Sequence, residues 1–397
     1  MGDFQHKPKP ATNTSWITPN NAGNRLWLDD RPLQALEALQ RAIQLNPDHP
    51  APFAGLGNVL RDLNRFEEAD RAFRIAGQID RSGRYLWNHS QVLIGLEGYR
   101  EAWDLSEARF STPGFSFYRA GPYWHGWSIG DPPPEALTVW SEQGFGDTFQ
   151  FLRWLLPLSQ QKVQIALEVE PPLVPLLQAG LSWLPAPVQP LAKQSPPPAH
   201  AHRCHGSLLS LPSRGPAQPM NEGTYLRLPN QASAASSRRV GIVWAAGRER
   251  DNPVLKRDYE RRSLPSTVLE QLLRGLHDLN WRCVNLQIGP DRDELRPDLA
   301  RLFDDALPSN ADFLEAGHWL ESLQCVISVD TATAHQAGAQ GRPCWVLLPW
   351  SADPRWLRQR SDTPWYTSLR LVRQGPERIW TPVIDRLLRA LAEGQAP

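Results

Sequence analysis

The 397-residue sequence predicts an α + α/β chain, with helical repeats at the amino terminus and two parallel-sheet units after them. Three observations carry the prediction. The chain repeats itself every 34 residues or so between Asn20 and Pro113. Short apolar strands alternate with helices from Ala136 onward. A second alternation of the same kind opens at "RRVGIVWAAG" (238–247). The expected boundaries are a disordered tail over 1–16, repeats over 17–113, a first α/β unit over 114–235 and a second over 236–397.

The repeats come first. Ala35, Leu39, Ala42 and Pro47 recur 34 residues later as Ala69, Phe73, Ala76 and Arg81, and Ala22, Gly23 and Leu26 answer Leu56, Gly57 and Leu60. Small residues at such positions let two helices approach closely, while Leu and Phe fill the groove of the next pair. A period of 34 with this pattern is the tetratricopeptide signature. A third copy, "YLWNHSQVLIGLEGYREAWDLSEARF", departs from it with Ser106 and Arg109 at the Phe and Ala positions. A terminal repeat docking on something other than a repeat does this.

The α/β region follows "DPPP" (131–134). "ALTVW" reads as a strand, "EQGFGDTFQFLRWLLPL" as a Gly-hinged turn and an apolar helix, "KVQIALEVE" as a strand and "PPLVPLLQAG" as a helix. A Pro-rich tract covers 185–198. The second unit supplies the strands "VGIVW", "RCVNLQ", "CVISVD", "CWVLLP" and "LRLVRQ", with a helix over Ser266–Leu279. A last helix has Thr381 as its expected N-cap and Gly394 at its end. Alternation of this kind argues parallel sheets with helices on both faces, and ligands of such sheets bind at the carboxyl ends of the strands.

Composition narrows the function. Lys+Arg and Asp+Glu both number 42, which removes the electrostatic attraction for nucleic acid or an anionic membrane. There is no run of 18 apolar residues and the start is polar, so a soluble, cytoplasmic protein without a transmembrane segment is expected. Cys283, Cys325 and Cys344 sit in apolar strands and, with Cys204, read as buried thiols of a reducing compartment. The 17 tryptophans are either carbohydrate-stacking platforms or large core aromatics, the second being the plainer reading.

The candidate chemistry lies at strand ends. In "CVISVDTATAHQAG" a strand ends at Asp330, and Thr331 and Ala332 open a helix with His335 one turn in. A helix start has free N–H groups and partial positive charge, so a diphosphate can rest there; Asp330 or Thr331 acting only as an N-cap is the alternative. "WAAGRERDNPVLKRDYERRSLP" reads as a strand running into Gly247 and a polar loop. Its cations, Arg248, Arg250, Lys256, Arg257, Arg261 and Arg262, would neutralise a leaving diphosphate unless their acidic neighbours offset them. Arg262 and Ser263 are the preferred pair, with Lys256 weaker and Gln287, at the end of "RCVNLQ", a further donor-side candidate. In the first unit Gly144 and Gly146 are expected to allow a tight turn, with positive φ where needed. They place Asp147 at a helix entry, either as a cap or as a general base. "DRDE" (291–294), with Asp291 and Asp293, reads as a loop rather than a metal motif. "HAHRCHG", with His200, His202, Cys204 and His205, reads as a histidine-rich loop rather than a zinc site.

These residues together resemble the bacterial tetratricopeptide-containing glycosyltransferases related to the ADP-heptose:lipopolysaccharide heptosyltransferases. The motifs are "EQGFGDTFQFLRWLLPL", "SLLSLP", "VGIVW", "RRSLP", "VISVDTATAHQAGAQGRPCWVLLP" and "PRWLRQRSDTPWYTSLRLVRQ". The resemblance implies two Rossmann-like α/β domains of the GT-B type behind the repeats. It implies a catalytic base at Gly146–Asp147 and a diphosphate cradle at Asp330, Thr331, Ala332 and His335. Related chains usually read Trp-x-Gly-Asn-Pro-x-His where this one has "WAAGRERDN". The expected activity is inverting, metal-independent sugar transfer, without a cofactor. The donor would be a nucleotide-diphospho-sugar and the acceptor a hydroxyl of a protein or glycan recruited by the repeats. The alternative is a non-catalytic scaffold.

Overall fold

The computed structural model describes residues 14–112, 118–119, 121–124, 127–132, 134, 136–198, 204–220, 223–229, 238–248 and 251–397. Most of the tail expected at 1–16 lies outside these, as do His200, His202 and Arg250.

Six helices form three antiparallel pairs: α1 (Ile17–Leu28) with α2 (Pro32–Leu45), α3 (Pro50–Asp62) with α4 (Phe66–Ile79), and α5 (Leu86–Gly95) with α6 (Tyr99–Ser106). The small residues do what the repeat requires. A Cβ on Gly23 would fall 2.6 Å from Leu39, and one on Gly57 2.6 Å from Phe73. Each pair turns at a left-handed residue at the same repeat position: Asp30, Asn64 and Glu97, with φ of 55°, 59° and 60°. The following N–H groups bond back into the helix (Arg31 to Leu26 O, Arg65 to Leu60 O, Gly98 to Leu93 O), a Schellman closure made without glycine.

The first α/β unit contains β1 (Leu137–Trp140), α7 (Phe145–Phe151), α8 (Leu155–Gln160), β2 (Ile165–Val169), α9 (Val174–Gly180), β3 (Val188–Ala192), β4 (Cys204–Ser207) and α10 (Leu211–Arg214). The apolar helix expected after the Gly turn is broken by a 3₁₀ turn at Leu152–Trp154. The sheet is parallel in the order β3-β2-β1-β4. Two of its strands were not expected. β3 lies in the Pro-rich tract, and β4 contains Cys204 and His205 of the expected histidine-rich loop. Gly206 in β4 is needed because the Trp124 ring occupies the space a Cβ would take.

The second unit contains β5 (Arg239–Val243), α11 (Pro253–Arg262), α12 (Ser266–Asp278), β6 (Arg282–Asn285), α13 (Pro290–Asp293), α14 (Pro297–Ala300) and β7 (Asp305–Ala306). It continues with α15 (Phe313–Ser322), β8 (Cys325–Val329), α16 (Ala332–Ala339), β9 (Cys344–Leu348), β10 (Leu369–Arg373) and α17 (Thr381–Ala392). Its parallel sheet runs β7-β6-β5-β8-β9-β10, the doubly wound order, with the direction of winding reversing between β5 and β8. The architecture is therefore the expected one, N-terminal helical repeats and two Rossmann-like units. Two local corrections apply. The polar loop expected after Gly247 is helical from Pro253, because the Asn252 side chain caps Val254 and Leu255 and proline fits the first turn. Thr381 is the first helical residue of α17, whose N-cap is Trp380.

One hydrophobic core joins all three regions. Trp103 of α6 meets Trp154 of the first unit (ring centroids 6.1 Å apart) and Trp365 of the second (6.4 Å), edge to face. These tryptophans are core aromatics. All four cysteines are buried in strands and unpaired.

Charges fix the other end of the repeats. The Asp62 carboxylate, 5 % exposed, accepts from Trp27 Nε1 and Arg261 Nη1, both at 2.8 Å, and Arg257 Nη2 lies 3.4 Å away. Burial alone would raise the Asp62 pKa, but Arg61, Arg261 and Arg257 outweigh it and lower it. Burial draws Arg257 down, whereas the two acids Asp62 and Asp30 hold Arg261 up, consistent with the shorter bond going to Arg261.

Removing this carboxylate leaves the buried Arg257 and the half-buried Arg261 without their shared partner. Asp62→Ala is therefore expected to cost about 3–5 kcal/mol in urea unfolding, against less than about 0.5 kcal/mol for exposed Asp29→Ala. Because folding lowers the Asp62 pKa, its contribution is complete above the unfolded value of about 3.9 and is lost as pH falls below it. Asp62→Asn should flatten the acid limb of stability below about pH 4.

Candidate functional site

Both sheets deliver their strand ends to one cavity of about 440 Å³, and the repeats close its third side. Asp147 comes from the first unit, Asp330, Arg262 and Arg355 from the second, and Asp62, Trp87 and Asn88 from the repeats.

Asp147 is the third residue of α7, which begins just past β1, and the helix cap holds one of its oxygens: Oδ2 accepts from Gly144 N–H at 3.0 Å. The other, Oδ1, accepts from Arg355 Nη2 at 2.7 Å. The capping role and a place in the cavity thus coexist. The glycines act differently from expectation. Neither takes positive φ; the left-handed residue of this turn is Gln143, at φ 62°. Gly144 is the extended N-cap. Gly146 is small because α7 abuts α16: a Cβ there would lie 2.8 Å from the His335 ring.

In the second unit β8 ends at Asp330, which is 5 % exposed. Arg262 Nη1 is 3.7 Å from its Oδ2, and His335 Nε2 is 3.7 Å from its Oδ1. Burial works against the Asp330 charge, but His335 and Arg262 outweigh it and hold the carboxyl far below the usual carboxylate range. Burial draws His335 below the ordinary imidazole value, only partly offset by Asp330. Its Nδ1 is hydrogen-bonded to Tyr366 Oη at 2.8 Å, and it stacks on Trp356. Thr331, the N-cap of α16, makes no side-chain cap; its hydroxyl pairs with Ser328 Oγ at 2.9 Å. The half-buried start of α16 at Ala332 therefore keeps backbone N–H groups without a side-chain acceptor.

Arg355 was not anticipated. It lies in a short 3₁₀ turn after β9 and bonds Asp353 Oδ1 (3.0 Å), Gln150 Oε1 (2.7 Å) and Asp147. Burial opposes its charge, but Asp353, Asp147 and Asp330 outweigh that and raise its pKa well above the ordinary guanidinium value. "DPRW" after an apolar strand is its only sequence signal, since nothing local marks it among the other arginines.

The remaining candidates are spread out. Ser263 Oγ accepts from Ala246 N–H (3.1 Å), and Gln287 Oε1 accepts from Trp244 and Ala245 N–H (3.1 and 3.0 Å). Both side chains shape the turn after β5, where Gly247 has open space on its Cβ side. Lys256 is turned away from the cavity, exposed and 4.0 Å from Glu260. Arg257 and Arg261 hold the repeats. In "DRDE", Asp291 is taken up by Arg248 Nη2 at 2.8 Å and by the Tyr259 hydroxyl. Among the described residues no group of three or more His, Cys, Asp or Glu is placed to hold a metal ion, and no helix is long and apolar enough to cross a membrane.

The packing of α7 on α16 gives a paired test. Gly146→Ala must displace the buried His335 ring and is expected to cost about 1–3 kcal/mol in denaturant unfolding. Gly144→Ala meets only Asp147 Oδ2, at 3.3 Å, and should cost less than about 1 kcal/mol.

Among solved structures the chain is similar to E. coli ADP-heptose LPS heptosyltransferase II, at 12 % identity over 65 % of this chain and 98 % of that one, with a TM-score of 0.45. It is similar to E. coli heptosyltransferase WaaC with ADP-2-deoxy-2-fluoro heptose, at 14 % identity over 65 % and 99 % of the two chains, TM-score 0.44. Its helical part is similar to the second TPR of Spaghetti (RPAP3) bound to an HSP90 peptide, at 18 % identity over 24 % and 90 %, TM-score 0.24. No curated protein matches. The tetratricopeptide repeat family model matches residues 26–87, and the chain is accordingly a tetratricopeptide repeat segment joined to two doubly wound parallel-sheet units.

Proposed function

We propose that the chain is an inverting glycosyltransferase that moves a sugar from a nucleotide-diphospho-sugar to a hydroxyl of a protein or glycan, without a metal. The observation that carries this reading is that Asp147 and Asp330, from the strand-end sides of two different sheets, line one cavity. Ligands of doubly wound sheets bind at such strand ends.

In this reading Asp147 takes the proton of the acceptor hydroxyl as that oxygen attacks the anomeric carbon in line. The Gly144 and Arg355 bonds fix both carboxylate oxygens, so its contribution is orientation more than basicity. The departing diphosphate gathers negative charge near Arg262, Arg355 and the uncapped start of α16 at Thr331 and Ala332. Asp330 then acts by holding Arg262 and His335 in place.

A second reading has its own observation. Arg355 already neutralises Asp147, as in a chain that keeps the fold as a scaffold for the repeats.

One experiment separates them. A panel of nucleoside diphosphates is expected to raise the melting temperature, by on the order of 5 °C at a hundredfold excess over Kd. Asp147→Asn should keep that shift and lower sugar transfer by about 10²–10⁴-fold. A flat melting curve with every nucleotide would favour the scaffold.

A further inference from the structure

A nucleotide diphosphate needs cations, and those of the second unit are mostly taken. Arg355 holds Asp147, Asp353 and Gln150. Arg262 is shared with Asp330, whose backbone O and Oδ2 lie 3.5 and 3.7 Å from its Nη1. Arg257 and Arg261 dock on the repeats, and Lys256 is not part of the cavity lining.

The repeats supply another cation. Asp62 ends α3 and is buried against α11. Arg61, one residue earlier and so about 100° round the helix, lines the cavity. Its side chain is 20 % exposed, and its Nη2 lies 3.7 Å from Asp62 Oδ1, beyond hydrogen-bond reach. Among the described residues Arg61 donates no hydrogen bond, which sets it apart from the other arginines lining this cavity. Asp62 already accepts from Trp27 and Arg261 through Oδ2.

The charge around it is not fully balanced. Arg257 is 4 % exposed and its Nε has no partner. Burial lowers its pKa, Asp62 only partly offsets this, and Arg261 and Arg61 lower it further. An anion entering beside Arg61 would weaken that repulsion and pair the open guanidinium. A guanidinium fork matches two phosphate oxygens at once.

We infer that Arg61 is a donor-binding residue contributed by the repeats, its guanidinium taking phosphate oxygens of the nucleotide diphosphate together with Arg262. The identity of the ligand rests on the glycosyltransferase reading; the residue rests on the geometry of α3. The repeats then complete the donor site, and donor affinity depends on their docking.

Isothermal titration of the full chain with the nucleoside diphosphates of the melting panel, and separately with inorganic pyrophosphate, tests this. Arg61→Gln is expected to weaken both about ten- to a hundredfold, the worth of a hydrogen bond to a charged group, and to leave the ligand-free urea midpoint in place. Arg71→Gln, exposed and outside the cavity lining, should weaken neither. Unaltered diphosphate binding in Arg61→Gln, an equal loss in Arg71→Gln, or a loss accompanied by a lower urea midpoint would each overturn the inference. If the unsubstituted chain binds pyrophosphate through Arg61 but no nucleotide, the anion site stands and the transferase reading falls. If it binds neither, both fall.

Discussion

An indole from each region meets at one point, and the cavity follows from that junction. Trp103 leaves the last repeat helix, Trp154 the 3₁₀ turn between α7 and α8, and Trp365 the segment before the last strand. Their edge-to-face packing buries large apolar surfaces whose rings can occupy few other arrangements. With that end pinned, the opposite end is held by charge, through Asp62 with Arg257 and Arg261. The repeats thus bridge both α/β units. A cleft between two sheets is ordinarily free to hinge; here a third body spans it, and its inner helix becomes a wall of the site.

Inside the cavity one cation links the two α/β units. Arg355 stands among Asp147, Asp353 and Asp330, and each acid helps keep it charged against burial. In return it orients Asp147 and Gln150 at once. A group with that many partners cannot move without leaving buried charge uncompensated, so it sets the resting geometry of both walls. In the proposed reaction an arriving phosphate would compete for the same guanidinium and so loosen Asp147.

Legibility followed how local the cause was. The repeats were readable because Gly23, Gly57, Leu39 and Phe73 recur at a fixed interval, and interval is a property of sequence. The central strands were readable as apolar runs buried on both faces. β3, β4 and β7 were not: Val188–Ala192 is proline-interrupted and half exposed, Cys204–Ser207 is short and polar, and Asp305–Ala306 is two residues long. Helix α11 was legible in principle, from Asn252 before Pro253, but its charge density suggested a loop. Asp147 and Asp330 could be placed at strand ends from their flanking motifs. Arg355 could not be found, because it reaches Asp147 across 208 residues and only the fold brings them together. The same holds for Arg257 and Arg261, whose partners Asp30 and Asp62 belong to a different region.

The left-handed turns at Asp30, Asn64 and Glu97 recur at the repeat interval, and the first two are also contact points. Asp30 takes Arg261 and Arg378, and Asn64 bonds Trp350 O and accepts from Arg358. A free solenoid can gain or lose a unit at little penalty, since each contacts only its neighbours. Here the spacing of the turns is matched to fixed points on a rigid sheet domain. Duplicating a unit between the second and third pairs would shift Asp30 and Asn64 off their anchors together, so this array is held to a set number of units between those anchors and the tryptophan junction.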